Sequence, residues 1–224
     1  SVAEVDLSSL TTVGGAVAVD TNASATAVDM SALTSVGGDL SLSGNTSVAG
    51  IDLSSLTNVG GTVAIDMNTS ADAVDMNALT TVGGDLSLSG NTSATSIDLA
   101  SLVSAGGSLD ISGNTAATAI AMGSVTNVAG DLTIASNAPD AVVDLNSLTA
   151  FGCGTNEVTM TLNGGTVQMT NGLTLCTNAT LTGSTTLNGS VTNNGTLEPG
   201  ASPGQLNLTG HLVLANPSRL RLEI

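Results

Sequence analysis

The chain is almost without aromatic residues: among its 224 amino acids Phe151 stands alone, with no Tyr and no Trp. A core built here has no large planar side chain to fill it, so it must be narrow and aliphatic. Lysine is absent as well, and Arg219 and Arg221 are the only cations against 18 acidic residues, a formal net charge of −16. Such a surface repels phosphate backbones and acidic lipid alike, which excludes nucleic acid as a partner. No run nears the roughly 20 consecutive apolar residues of a membrane-spanning helix, and membrane insertion is not expected. The first residues also lack the basic and apolar stretches of a secretion signal.

What is present is order of a simple kind. Small polar residues surround regularly placed Val, Leu, Ile and Met, and an apolar fraction of 41% with only 9% charged residues is not the composition of a disordered acidic chain. Self-comparison gives a period of 23 residues, with six units from Val2 to Pro139 and a seventh beginning at Asp140. The segments from Ala25 to Ser47 and from Ala71 to Ser93 are nearly identical, whereas neighbouring units differ more, so the array reads as a duplicated two-turn block. Inside each unit, apolar and small polar residues alternate twice, as in Val28-Asp29-Met30 and Leu40-Ser41-Leu42, the period of a strand with one buried face. These strands are too short to stand alone, and no segment keeps a helical period. The chain is therefore expected to be all-β, a parallel β-solenoid whose turns stack at about 4.8 Å.

Stacking turns equivalent residues into columns. Val5, Val28, Ile51, Val74, Ile97 and Ile120 form one expected inward column, Leu7, Met30, Leu53, Met76, Leu99 and Met122 a second, and Leu10, Leu33, Leu56, Leu79, Leu102 and Val125 a third. The paired glycines at Gly37-Gly38, Gly60-Gly61, Gly83-Gly84 and Gly106-Gly107 mark a corner that requires either positive φ or close packing. Asn22, Asn45, Asn68, Asn91, Asn114 and Asn137 form an uninterrupted column, expected to satisfy buried polar groups by bonding to backbone and to one another. The four glycosylation sequons within that column are read as structural Asn followed by small turn residues.

The run from Leu33 to Asn45, LTSVGGDLSLSGN, resembles the receptor L-domain type of leucine-rich repeat, and Leu40-x-Leu42-x-x-Asn45 is similar to the core of leucine-rich repeats generally. Gly37 stands where the classical repeat has its first Leu, so the resemblance implies a β-helix rather than a helix-backed horseshoe. Past about Gly152 the period is lost, though alternation persists in Val158–Leu162, Leu173–Leu175, Leu206–Leu208 and Leu220–Leu222, between Asn-Gly turn signals. The segment from Asn194 to Gly210 resembles one found in bacterial autotransporter passengers. It implies a bacterial origin and a solenoid that continues with a changed turn length. Two regions follow from this: 1–151, the regular solenoid, and 152–224, its altered continuation.

Candidate sites are few. Cys153 and Cys176 are one period apart, close enough on adjacent turns for a disulfide, the other reading being two buried thiols. A disulfide would place the chain in an oxidising compartment. Asp6, Asp29, Asp52, Asp75 and Asp98 make an outward column whose stacked carboxylates either bind cations, with weak Ca2+ binding as one outcome, or have raised pKa values. A solvated acidic edge is the plainer reading. His211 has no motif around it, no aromatic platform exists for a sugar, and acid pairs that recur in every turn are architecture, so no catalysis and no cofactor are expected.

The functional expectation is an extracellular bacterial filament or fibre assembling head to tail from copies of the chain. Val2, Val5 and Leu7 at one end and Leu220, Leu222 and Ile224 at the other keep the buried-face alternation, leaving strand edges that seek partners. Glu4 and Asp6 are expected to meet Arg219 and Arg221 across that contact. A monomeric stalk or passenger of a surface adhesin is the alternative, followed by ice binding, which the mixed Asp, Ser and Ala columns disfavour.

Overall fold

A computed structural model describes residues 3–200 and 204–222. Val2, Ala201 to Pro203 and Ile224, which figured in the sequence reading, lie outside them. The described residues contain strands and turns but no helix, wound into a parallel β-solenoid of about nine turns. Each turn has three sides. On the first, Val5 pairs with Val28, Val28 with Ile51, and so on in parallel to Val143. The second runs from Thr12–Val13 to Asn127–Val128 as a separate six-stranded sheet. Along the third, Val17 stacks on Leu40, Val63, Leu86, Leu109 and Leu132.

Most strands are two to four residues long because a corner interrupts the chain at every side, so stability comes from one turn lying on the next. Leu40 N–H donates to Thr62 O at 2.8 Å, and similar bonds join successive turns throughout the repeat region. The three expected inward columns are buried from the second turn onward, with Leu33, Leu56, Leu79 and Leu102 fully enclosed. In the first turn Val5, Leu7, Leu10 and Val13 are only half-buried.

The Gly-Gly corner resolves in favour of close packing. None of these glycines has positive φ, and a Cβ on Gly60 would lie 2.3 Å from Gly37 O, or on Gly83 2.1 Å from Gly60 O. Positive φ occurs instead one residue before each ladder Asn, at Thr21, Gly44, Met67, Gly90, Gly113 and Ser136. Only three of these six are glycine, and left-handed backbone costs a residue bearing Cβ about 1–2 kcal/mol. Met67, at φ 56° and 58% exposed, loses little packing if its side chain is removed. Met67→Gly is expected to stabilise the fold by about 1 kcal/mol, the relief being partly offset by the extra freedom of glycine when unfolded. A raised denaturation midpoint at unchanged slope would establish it.

The period breaks after Phe151. The exposed loop Gly152–Glu157 is inserted at the corner, so Leu132 pairs with Met160 while Phe151 still pairs with Leu175. From there the short strands merge into two continuous bent ones, Val158–Leu175 and Ala179–Asn193. They turn their corners through Gly164, Gly165, Gly172, Gly183 and Gly189, all at positive φ. The same three sides are thereby carried to Leu208, Leu214 and Leu220.

Candidate functional site

The Asn column is a device for capturing backbone. Asn68 Oδ1 accepts from Asn45 N–H at 3.0 Å and its Nδ2 donates to Leu42 O at 2.6 Å, both in the preceding turn. Asn45, Asn91, Asn114 and Asn137 repeat both bonds. Asn22 bonds differently. Its amide donates to Asp20 O and to Asn45 Oδ1, the one amide-to-amide bond in the column. Asn193 extends the same chemistry beyond the repeat: wholly buried, it accepts from Gly195 N–H and donates to Arg219 O. Sequence reading missed it, although Val191-x-Asn193 places it at an apolar-face position.

Acidic residues fall into two arrangements. Asp39, Asp85 and Asp131 occur on alternate turns of one column, and Asp20 and Asp66 on alternate turns of another. Each accepts a backbone N–H from the following turn at 2.7–2.8 Å. This spacing keeps like charges two turns apart. In the Asp6 column the carboxylates are register partners on successive turns. Each of these accepts from the N–H two residues on in its own turn, at 2.9–3.1 Å.

The hydroxyl and then the N–H of Ser8 hold the Asp6 carboxyl below the usual carboxylate range, and Ser54 lowers Asp52 in the same way. These two shifts run opposite to the rise expected from stacked charge, the hydrogen bonds of the adjacent serine outweighing desolvation. A lowered folded-state pKa gives stability that is present above the unfolded value of about 3.9 and lost as pH falls through the folded value. Denaturation midpoints are accordingly expected to drop below about pH 4, and Ser8→Ala with Ser54→Ala to flatten that dependence. No group of three or more His, Cys, Asp or Glu side chains suited to a metal occurs among the described residues. Asp110 Oδ1 is buried without a hydrogen-bond partner among them, in a column where its neighbours are Ser87 and Thr133.

Cys153 and Cys176 form a disulfide with Cα atoms 4.9 Å apart. It ties the inserted loop to the turn above, next to the bond from Cys176 N–H to Phe151 O.

The charged groups expected to meet across an end-to-end contact lie on different sides. Glu4 and Asp6 belong to the first side, whereas Arg219 is in the column of Thr196 and Arg221 in that of Glu198, on the third. Arg221 also donates to Glu198 within the chain at 2.7 Å. By column register, Arg219 and Arg221 stand over the positions of Ala16 and Ala18 of the first turn.

Compared with known proteins, the chain matches no protein-family profile, no curated protein and no solved structure.

Proposed function

We propose that this chain is a non-catalytic structural element of an extracellular bacterial fibre, a β-solenoid rod that lengthens by stacking copies end to end. The observation that carries this reading is the parallel stacking itself, in which one three-sided turn lies on the next through about nine turns. Leu212, Leu214 and Leu220 are 40–49% exposed, yet they occupy columns whose earlier members are almost fully buried. Leu208, Leu214 and Leu220 stand in the same three columns as Val5, Val13 and Val17 of the first turn, of which Val5 and Val13 are half-buried and Val17 is buried. The first turn of another copy thus offers the matching parallel edge and apolar surface. A contact of this kind is heterologous and does not close on itself, which generates filaments.

The disulfide favours an oxidising compartment, hence a secreted or surface location. The resemblances to receptor L-domain repeats and to autotransporter passengers support a surface rod of bacterial origin. Outer oxygens of the Asp6 column are proposed to hold Ca2+ at most weakly.

Sedimentation of the full chain over a concentration series, with negative-stain microscopy, tests the reading. Filaments are expected, and Leu214→Asp with Leu220→Asp should abolish them without lowering the melting temperature of the rod, since both side chains are half-exposed already. A monodisperse monomer at high concentration would overturn end-to-end assembly and favour the stalk of an adhesin.

A further inference from the structure

The inserted loop does more than break the period. It stands out from the corner between the second and third sides, and beside it the surface sinks into an open groove of about 640 Å3. Glu157 and Asn178 stand along one wall, and the turn at Pro217 forms the far end with Arg219 and Arg221. The floor is one column of the third side: Thr159 pairs with Thr180, Thr180 with Thr196, and Thr196 with Arg219.

These threonines differ from the column of Thr34, Thr57 and Thr80, which precedes the second side. Thr34, Thr57 and Thr80 donate their hydroxyls to carbonyls of the preceding turn and have nothing left to donate. Among the described residues, the hydroxyls of Thr159, Thr180 and Thr196 donate to no protein acceptor. The amides of Asn178 and Asn194 each donate one N–H, to Gly154 O and Leu175 O, and keep a second N–H and the Oδ1 acceptor. Three successive turns therefore offer hydroxyls in a row, with a carboxylate and amide oxygens on one flank and a guanidinium at the end.

We propose that this groove binds a neutral linear oligosaccharide, its sugar units lying along the column at about one per turn. Turns repeat at about 4.8 Å, the scale of a single sugar ring. A polyhydroxylated chain supplies donors to Glu157 and the amide oxygens and both donors and acceptors to the threonines, and carboxylates take vicinal hydroxyl pairs well. Acidic glycans and nucleic acids are repelled by Asp131, Glu157 and the overall charge of −16. A peptide would need an apolar anchor pocket, and the floor of the groove is hydroxylated. The site lies on the flank of the rod, so its use does not depend on end-to-end stacking.

Isothermal titration of the full, oxidised chain with cello-, xylo-, malto- and chito-oligosaccharides, with oligogalacturonate as the acidic comparison, tests the proposal. At least one neutral series should bind, with affinity rising with chain length up to the number of turns spanned. Thr180→Val, nearly isosteric, should weaken binding about tenfold through the loss of one hydrogen bond, while Thr57→Val, whose hydroxyl is spent on backbone, should leave it unchanged. Melting temperatures of both variants separate lost binding from lost folding. Binding of oligogalacturonate alone, absence of binding by all four neutral series, or neutral binding indifferent to Thr180→Val would each overturn the assignment.

Discussion

Replacing Asn68 by Ala is expected to lower the stability of the rod by about 2–6 kcal/mol. The substitution orphans two buried backbone groups at once, Asn45 N–H and Leu42 C=O, neither of which has another partner among the described residues. Leaving a buried donor or acceptor unsatisfied costs about 1–3 kcal/mol, and the amide at Asn68 is fully enclosed, so water cannot substitute for it. In a chain of this size each kcal/mol is worth about 2–4 °C, and a fall in melting temperature of at least about 4 °C should result. Asn137→Ala, at the half-buried end of the column, should cost less. Equal effects at the two positions, or none at Asn68, would show that the column is not what holds this corner together.

A valine at position 83 should be nearly as damaging, for a reason of space rather than bonding. The Cβ would begin 2.1 Å from Gly60 O, and that carbonyl belongs to a backbone fixed on both sides by bonds of the same ladder. Overpacking against atoms that cannot move costs about 1–3 kcal/mol or more, and the two methyls of Val place this change at the upper end. Ala129 calibrates the expectation. It occupies the Gly106 column one turn later, and there the N–H to Ala105 O lengthens to 3.1 Å from the 2.8–2.9 Å of the turns before. A single methyl is thus accommodated by loosening the ladder, so Gly83→Ala should fall about midway between wild type and Gly83→Val in denaturation midpoint. If Gly83→Val matched wild type, the glycine pairs would have to be explained by flexibility instead.

Some of this protein was written in local pattern. Strict repetition brings Val28, Ile51 and Val74 to equivalent places, and an alternation only three residues long can bury them on one side only, so turns, inward columns and the Asn column followed from period and polarity. Cys153 and Cys176 paired because their separation is that of one turn. Other features depend on distances between turns, which no single repeat encodes. Whether Gly37-Gly38 served left-handed backbone or close approach was settled by the carbonyl of the turn beneath. The left-handed position fell on Thr21, Met67 and Ser136, which sequence propensity would never select, because tertiary stacking imposes one backbone path on every turn.

Beyond Phe151 the sequence retained the strand alternation but lost the map of which residue lies over which, since register there depends on how far the Gly152–Glu157 loop displaces the third side. The groove beside that loop, the burial of Asn193 and the separation of Glu4 and Asp6 from Arg219 and Arg221 onto different sides all follow from that displacement and from the three-sided cross-section. Repetition specifies what stacks on what wherever the period holds. Once the period fails, only the folded path of the backbone places side chains from distant segments beside one another.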